Sequence, residues 1–424
     1  MHPTLLCRRT LLKLAGATGG ISALPLIGIR NNPGASLTSL EIPVHLKDHA
    51  AEFAKDPLAA STNWFREAKY GLFIHYGIYS LMEAGEWVLY SKKVPLGKYN
   101  KLAERFTAEN FDVDQITDLA LEGGMKYITF TSRHHDSFCM FDTKYSDFKS
   151  TNSPCKRDFI GEFAEQCRKK GLAFFPYYSY GRDWRHPHAP FGNDIRKMRE
   201  KGKLLPMPTD KPYDMKIYEQ FVNDQLKELL TDYGDIAGIW FDAPPEISAR
   251  LDVFTPQRTY DMIHELQPHA LISAKWGITG TEDFYAPEFH QFFGNYKKMD
   301  RAIPMEVCEK LGSDWGWRSN YKTRGLNFLR ESLAHTAYWK ANLLMNTAPK
   351  PDGSLFEADV ETIRAMGKEL KDKGFPKPKN FTQHMHQKHR DQLLNQRLDA
   401  LRSRINRVGK SDKANGERKK ANAN

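Results

Sequence analysis

The chain is poor in cysteine. Five occur in 424 residues, at Cys7, Cys139, Cys155, Cys167 and Cys308, with no Cys-x-x-Cys pair and no spacing of the metal-ligand kind. A thiolate-held metal site has no support in this pattern, and no disulfide framework is required. Beyond the first 30 residues no apolar stretch is long enough to span a membrane. Positive charge is missing from the body as well. The net charge is +10, but residues 376–424 carry +9 and residues 1–30 carry +4, which leaves −3 for residues 31–375. A near-neutral body between two basic ends does not look like a nucleic-acid-binding enzyme. After Phe375 there is no run of alternating strands, so no second β domain is expected there.

What is present begins with Arg8-Arg9, followed by two leucines, Lys13 and a mildly apolar Gly/Ala-rich run to about Ile29. This resembles a bacterial twin-arginine export signal over residues 1–30. Its glycines make it a poor permanent anchor, and such signals carry proteins already folded. A periplasmic or extracellular location is therefore expected. Residues 31–60 read as a polar leader and 61–375 as the body. In residues 376–424 Lys, Arg, Gln, Asn and His dominate, and Leu394, Leu398, Leu401, Ile405 and Val408 fall at 4-3-4-3 spacing. That is one basic amphipathic helix, which either docks on the body or meets an anionic surface or glycan.

Within the body, strand-like and helix-like segments alternate. Apolar, β-branched and aromatic runs stand at 69–77, 126–133, 172–179, 236–243, 270–276, 303–307 and 343–346. Helical patterns lie between them, at 112–122, 159–169, 218–230, 259–266, 327–340 and 357–370. An eighth strand must be short or irregular, between Phe284 and Phe293. This is the signature of βα units in an α/β protein, here a (β/α)8-like TIM barrel of roughly 315 residues.

In such a barrel the C-terminal strand ends form the floor of the active site. His75, then His134 and His135, then Tyr178 and finally Asp242 fall at successive strand ends. Asp242 closes an apolar strand and is followed by Ala243-Pro244-Pro245, which cannot continue a ladder. Trp240, two residues earlier, shares its face. Histidines and an aspartate from several strands could hold zinc, but neighbours on a strand such as His134 and His135 point to opposite faces unless the strand has ended. The first strand also lacks a His-x-His pair, so no metal and no cofactor are expected. A glycosidase needs a second carboxylate. Glu246, Glu282, Asp283, Glu288 and Glu306 are the downstream candidates, with Glu288 in an aromatic loop beyond the fifth strand.

At this point the residues resemble the family 29 α-L-fucosidases of the glycoside hydrolases. The matching motifs are GLFIHYGIYS at 71–80, GEW at 85–87, KYITFTSRHHDSFCMFDTKYSDF at 126–148, YYS at 177–179, IWFD at 239–242, DFYAPE at 283–288 and NLLMNTAPKPDG at 342–353. The resemblance implies a metal-free retaining mechanism with Asp242 as nucleophile and Glu288 as acid/base, Glu306 being the fallback. It places His75, Glu86, Trp87, His134, His135, Tyr178 and Trp240 around the fucose ring, and Trp315 against its methyl. Fucosylated oligosaccharide or polysaccharide is the implied partner.

The chain departs from that family pattern in three places. Lys275 stands where the family usually has Arg, and a lysine cannot copy a bidentate guanidinium. Ala243 stands where a glycine often follows the nucleophile, and Glu282 where glycine precedes Asp283-Phe284. A catalytically weak carbohydrate-binding relative is the alternative that Lys275 keeps open, and a metal-dependent barrel hydrolase is another.

Overall fold

The computed structural model describes residues 41–190, 214–243, 247–248, 250–275, 277–288, 300 and 302–380. The export signal and the amphipathic helix of the tail lie outside the described residues. Among the described residues seven strands run parallel in one sheet: β1 (Tyr70–Ile74), β2 (Tyr127–Arg133), β3 (Ala173–Ser179), β4 (Gly238–Asp242), β5 (Leu271–Ala274), β6 (Glu306–Lys310) and β7 (Asn342–Thr347). Their order is β5-β4-β3-β2-β1-β7-β6. The irregular eighth element lies at 284–288. Single parallel bridges join Ser273 to Phe284 on one side, and Tyr285 to Met305 and Glu288 to Cys308 on the other. The two edges of the curled sheet are thus stitched together through this segment.

The main helices follow the apolar spacing of the sequence: α1 (Pro57–Ala68), α2 (Val113–Glu122), α3 (Phe159–Lys170), α4 (Met215–Thr231), α5 (Pro256–Leu266), α6 (Gly325–Trp339) and α7 (Glu357–Lys373). Asp112, Asp158 and Asp214 cap α2, α3 and α4, each accepting a first-turn backbone N–H. Two boundaries differ from expectation. Strand β6 starts at Glu306 rather than Ile303, because Pro304 has no N–H to give a ladder. The leader also ends earlier than residue 60. From Ile42 the chain folds onto the body, and Leu46, Phe53 and Ala60 are buried together beside Trp64.

Strand alternation divides the core in two. Phe73, Tyr127, Phe175, Tyr177, Trp240, Phe284, Cys308 and Leu344 pack inside the barrel. Their strand neighbours Leu72, Ile128, Phe174, Tyr178, Ile239, Phe241 and Leu343 pack outward against the helices. Parity along a strand therefore decides which side chains can reach the mouth.

One buried ion pair fixes the end of β2. Arg133 pairs with Asp183 in the loop after β3, donates to the Ser179 carbonyl and stacks 4.4 Å over the Tyr178 ring. Asp183 also accepts from Ser137 and from the backbone of Arg185 and His186. Removing one partner of a buried pair strands the other charge. Arg133→Leu is expected to lower unfolding free energy by ~3–5 kcal/mol in denaturant titration. Adding Asp183→Asn should recover part of the loss, whereas equal stability of wild type and Arg133→Leu would contradict this account.

Candidate active site

The strand ends enclose a cavity of about 250 Å³. It is lined by His75, Glu86, Trp87, His134, His135, Trp240, Asp242, Lys275, Glu288 and Trp315, with Phe73, Tyr177, Arg182, Ala243 and Cys308. All the site residues assigned from sequence converge there except Tyr178 and the fallback acid Glu306. Tyr178 lies on the outward face of β3, fully buried, and its hydroxyl bonds to Gln225 of α4. Its neighbour Tyr177 is the one that faces in. The register of β3 on β4 pairs Tyr177 with Trp240 and Ser179 with Asp242, so all four share the inner face.

Asp242 ends β4 with one oxygen toward each wall. Oδ2 accepts the Tyr177 hydroxyl at 2.7 Å, and Oδ1 accepts the Ala243 N–H at 2.7 Å. Its backbone carbonyl takes the N–H groups of Tyr180 and Gly181. A Cβ on Gly181 would meet the Ala243 carbonyl oxygen at 1.9 Å, so the close approach demands glycine. Ala243 itself has φ 61°, the left-handed region. That is why a glycine suits this position, and alanine holds it at a strain of order 1 kcal/mol.

Lys275 also has a left-handed backbone, φ 49°, and its carbonyl accepts the Ala286 N–H at 2.8 Å. The ammonium reaches Asp242 Oδ1 at 3.5 Å and Glu288 Oε1 at 3.1 Å, and sits 4.8 Å over the Trp240 ring. Both acids on one ammonium limits their oxygens to a separation of at most about 6.6 Å. That admits the ~5–5.5 Å of a retaining pair. Burial pushes the Asp242 carboxyl up, but Lys275, the Tyr177 hydroxyl and Arg182 outweigh it and hold it well below the ordinary carboxylate range. Asp242 is ionised at any working pH.

The histidines are neutral. β2 stops at Arg133, so His134 and His135 lie past the ladder and both face the cavity. Burial lowers His75 to about 4 and also holds His134 and His135 well below the ordinary imidazole range. His75 Nδ1 lies 2.7 Å from Asn346 Oδ1, and His135 Nδ1 2.5 Å from Ser179 Oγ. A neutral imidazole offers both a donor and an acceptor, which suits a hydroxyl partner. Glu86 is buried, accepts the Gly316 N–H at 2.8 Å, and is pushed up to about 7 by burial and the nearby Asp314. Trp315 packs 5.2 Å from His75 and 5.9 Å from Phe73.

The other acids are committed elsewhere. Glu282 accepts the Tyr260 hydroxyl and three backbone N–H groups of its own loop, and Asp283 takes the Ile272 N–H and His264. Glu246 lies outside the described residues. Glu306, the fallback, does not line the cavity; it is buried beneath Trp240. Arg182, which the sequence reading missed, stacks 4.7 Å over Trp87 and approaches His135 Nε2 at 3.3 Å. Its position three residues past the end of β3, on the catalytic face, was the available signal.

A parallel barrel with paired carboxylates, neutral imidazoles and aromatic walls at its strand ends defines a glycoside hydrolase. The family model described as alpha-L-fucosidase matches residues 42–375, and the chain belongs to that family. It is 28% identical over 337 residues to a plasma alpha-L-fucosidase of Homo sapiens, spanning 73% of this chain and 68% of that protein. Alpha-L-fucosidase isoenzyme 1 from Paenibacillus thiaminolyticus superposes with a TM-score of 0.67 at 29% identity, over 75% of this chain and 77% of that one. The Lactobacillus casei alpha-L-fucosidase solved with its α-L-fucose product gives 0.64 at 28% identity, over 74% and 98%.

The inward tyrosine yields a direct contrast. Tyr177→Phe removes a donor from Asp242 and is expected to lower kcat/KM by ~10- to 100-fold with little change in stability. Tyr178→Phe should leave turnover within ~2-fold while costing ~1 kcal/mol of stability through Gln225. Equal kinetics for the two variants would refute the assignment.

Proposed function

We propose that the protein is an exported, exo-acting, retaining α-L-fucosidase in which Asp242 is the nucleophile and Glu288 the acid/base. The observation that carries the residue roles is the single Lys275 ammonium touching both carboxylates. Asp242 attacks C1 while the bond from C1 to the leaving oxygen breaks, and Glu288 gives that oxygen its proton. The resulting fucosyl ester is then opened by a water that loses its proton to Glu288, and the two inversions give net retention. A cavity of about 250 Å³ is smaller than the ~300–1,000 Å³ typical of drug-sized ligands, which favours one terminal ring over an internal chain segment. Neutral imidazoles and Glu86 suit the three hydroxyls, and the Trp315–Phe73 wall suits the methyl.

His134, His135 and Asp242 also place potential ligand atoms within 4.8 Å of one another. That cluster is the observation behind a metal-dependent reading. Lys275 already neutralises Asp242 at 3.5 Å, and Arg182 lies against His135, so a dication there would face two cations.

Asp242→Gly should lower turnover by roughly 10³-fold or more, and added azide should restore it with release of β-L-fucosyl azide. Glu288→Ala should be slow on poor leaving groups and largely spared on an activated aryl fucoside. Near-wild-type turnover by Asp242→Gly, or Glu288→Ala indifferent to the leaving group, would overturn these roles.

Export rests on Arg8-Arg9 and the run behind them. Replacing both arginines with lysine should trap activity in the cytoplasm of a host with the twin-arginine pathway, and unchanged export of that variant would refute the signal.

A further inference from the structure

Glu306 is an acid that the mechanism leaves unused. It begins β6, is 1% exposed, and points into the barrel rather than into the cavity. Both of its oxygens are taken. Oε1 accepts the Trp240 indole N–H at 2.8 Å, and Oε2 accepts the Tyr127 hydroxyl at 2.6 Å. Burying an acid here is costly, and burial does push its carboxyl up to about 7 against the two donated bonds and Lys275. An apolar side chain would fill the same space without that cost, so the two acceptors need a reason.

Trp240 supplies it. Tyr177 stacks on the indole at 5.5 Å and 23°, and the Lys275 ammonium lies 4.8 Å over it. Tyr177 holds Asp242 Oδ2, and Lys275 holds Asp242 Oδ1 and Glu288. Tilting the indole would shift both of these supports together. We infer that Glu306 is a positioning residue: through the Trp240 N–H it sets the tilt of the ring that aligns Tyr177, Lys275 and the sugar. The inference rests on Asp242 and Glu288 forming the reacting pair. It differs from an acid/base role for Glu306, because the indole stands between that carboxyl and any proton it could exchange with substrate.

The test is a double-mutant cycle on the full-length enzyme, read with aryl α-L-fucosides of graded leaving-group ability. Glu306→Leu removes both acceptors and is expected to lower kcat/KM by ~10²-fold, by the same factor for every leaving group. Glu306→Gln keeps one acceptor and should recover to within ~10-fold of wild type. In a Trp240→Phe background, which has no indole N–H, Glu306→Gln should cost less than ~2-fold, because the two changes break one interaction. Tyr127→Phe frees the other oxygen and should stay within ~3-fold. If Glu306→Leu does not fold, the cycle with Glu306→Gln decides alone. Fully additive losses would overturn the inference, as would a loss that disappears with activated leaving groups. The azide rescue of Asp242→Gly does not depend on Glu306, so failure of the reacting pair would be seen separately.

Discussion

The mouth of this barrel depends on one ammonium. Asp242 and Glu288 belong to neighbouring elements, and Lys275 lies between them and touches both. At an effective dielectric near 20, contact with whichever acid is ionised is worth roughly 5 kcal/mol of gross Coulomb attraction. Against this stands the several kcal/mol needed to take each charge out of water. The Trp240 ring gives the ammonium a further aromatic partner. An arginine offers a planar fork that must match its acceptors, whereas an ammonium is a point charge with no preferred plane. Lysine can therefore sit between two carboxylates that are not coplanar. The departure from the family's usual arginine does not empty the position of charge. Its side chain is delivered by a left-handed backbone, and the Ala286 bond across to the eighth segment holds that strained turn.

Alternation along the strands explains why so few residues meet at this point. Each strand presents one face to the barrel interior and one to the helices, and the two cores divide on that line. Only inner-face residues in the last turn of a strand, or residues past its end, can reach substrate. Phe73 and His75, Trp240 and Asp242, and Tyr177 and Ser179 obey this in pairs. Where β2 would have forced His134 and His135 to opposite faces, the ladder ends at Arg133, and the buried Arg133–Asp183 pair pins the end. The charge that looks most out of place in the core is thus what brings two histidines to one wall.

Much of this was legible in the sequence. The alternation of apolar runs and helix periods gave seven strands and the barrel, and the carboxylate ending IWFD marked the site. Tyr178 shows where pattern reading stops. Two adjacent tyrosines have the same β propensity and hydrophobicity, and only register tells them apart. Counting back two residues from Ser179, whose hydroxyl meets the inward His135, selects Tyr177. The parity argument that joined Trp240 to Asp242 applies equally to Tyr-Tyr-Ser. Glu306 fell inside the expected strand 303–307 and was kept as the fallback acid, but the pattern did not show that β6 starts at Glu306 itself and turns that side chain into the barrel beneath Trp240. The leader boundary at residue 60 was missed because Leu46, Phe53 and Ala60 are too sparse to show a period.

Following the charges through the reaction shows why the ammonium is shared rather than dedicated. In the proposed roles, Lys275 balances an ionised Asp242 before bond breaking, and Glu288 brings the proton that the leaving oxygen takes. Once Asp242 is esterified its charge is gone, while Glu288 has become a carboxylate. The ammonium then faces a single acid, in the form that can remove a proton from water. A cation bound to Asp242 alone would be left uncompensated at this stage, and one bound to Glu288 alone would oppose its protonation at the start. One that touches both keeps the dry site near neutrality in either half, with no side chain having to travel. The neutral histidines fit the same demand, since a protonated imidazole at His135 would unbalance both states. Their burial below the ordinary imidazole range is part of the same electrostatic design that places Lys275 between the acids.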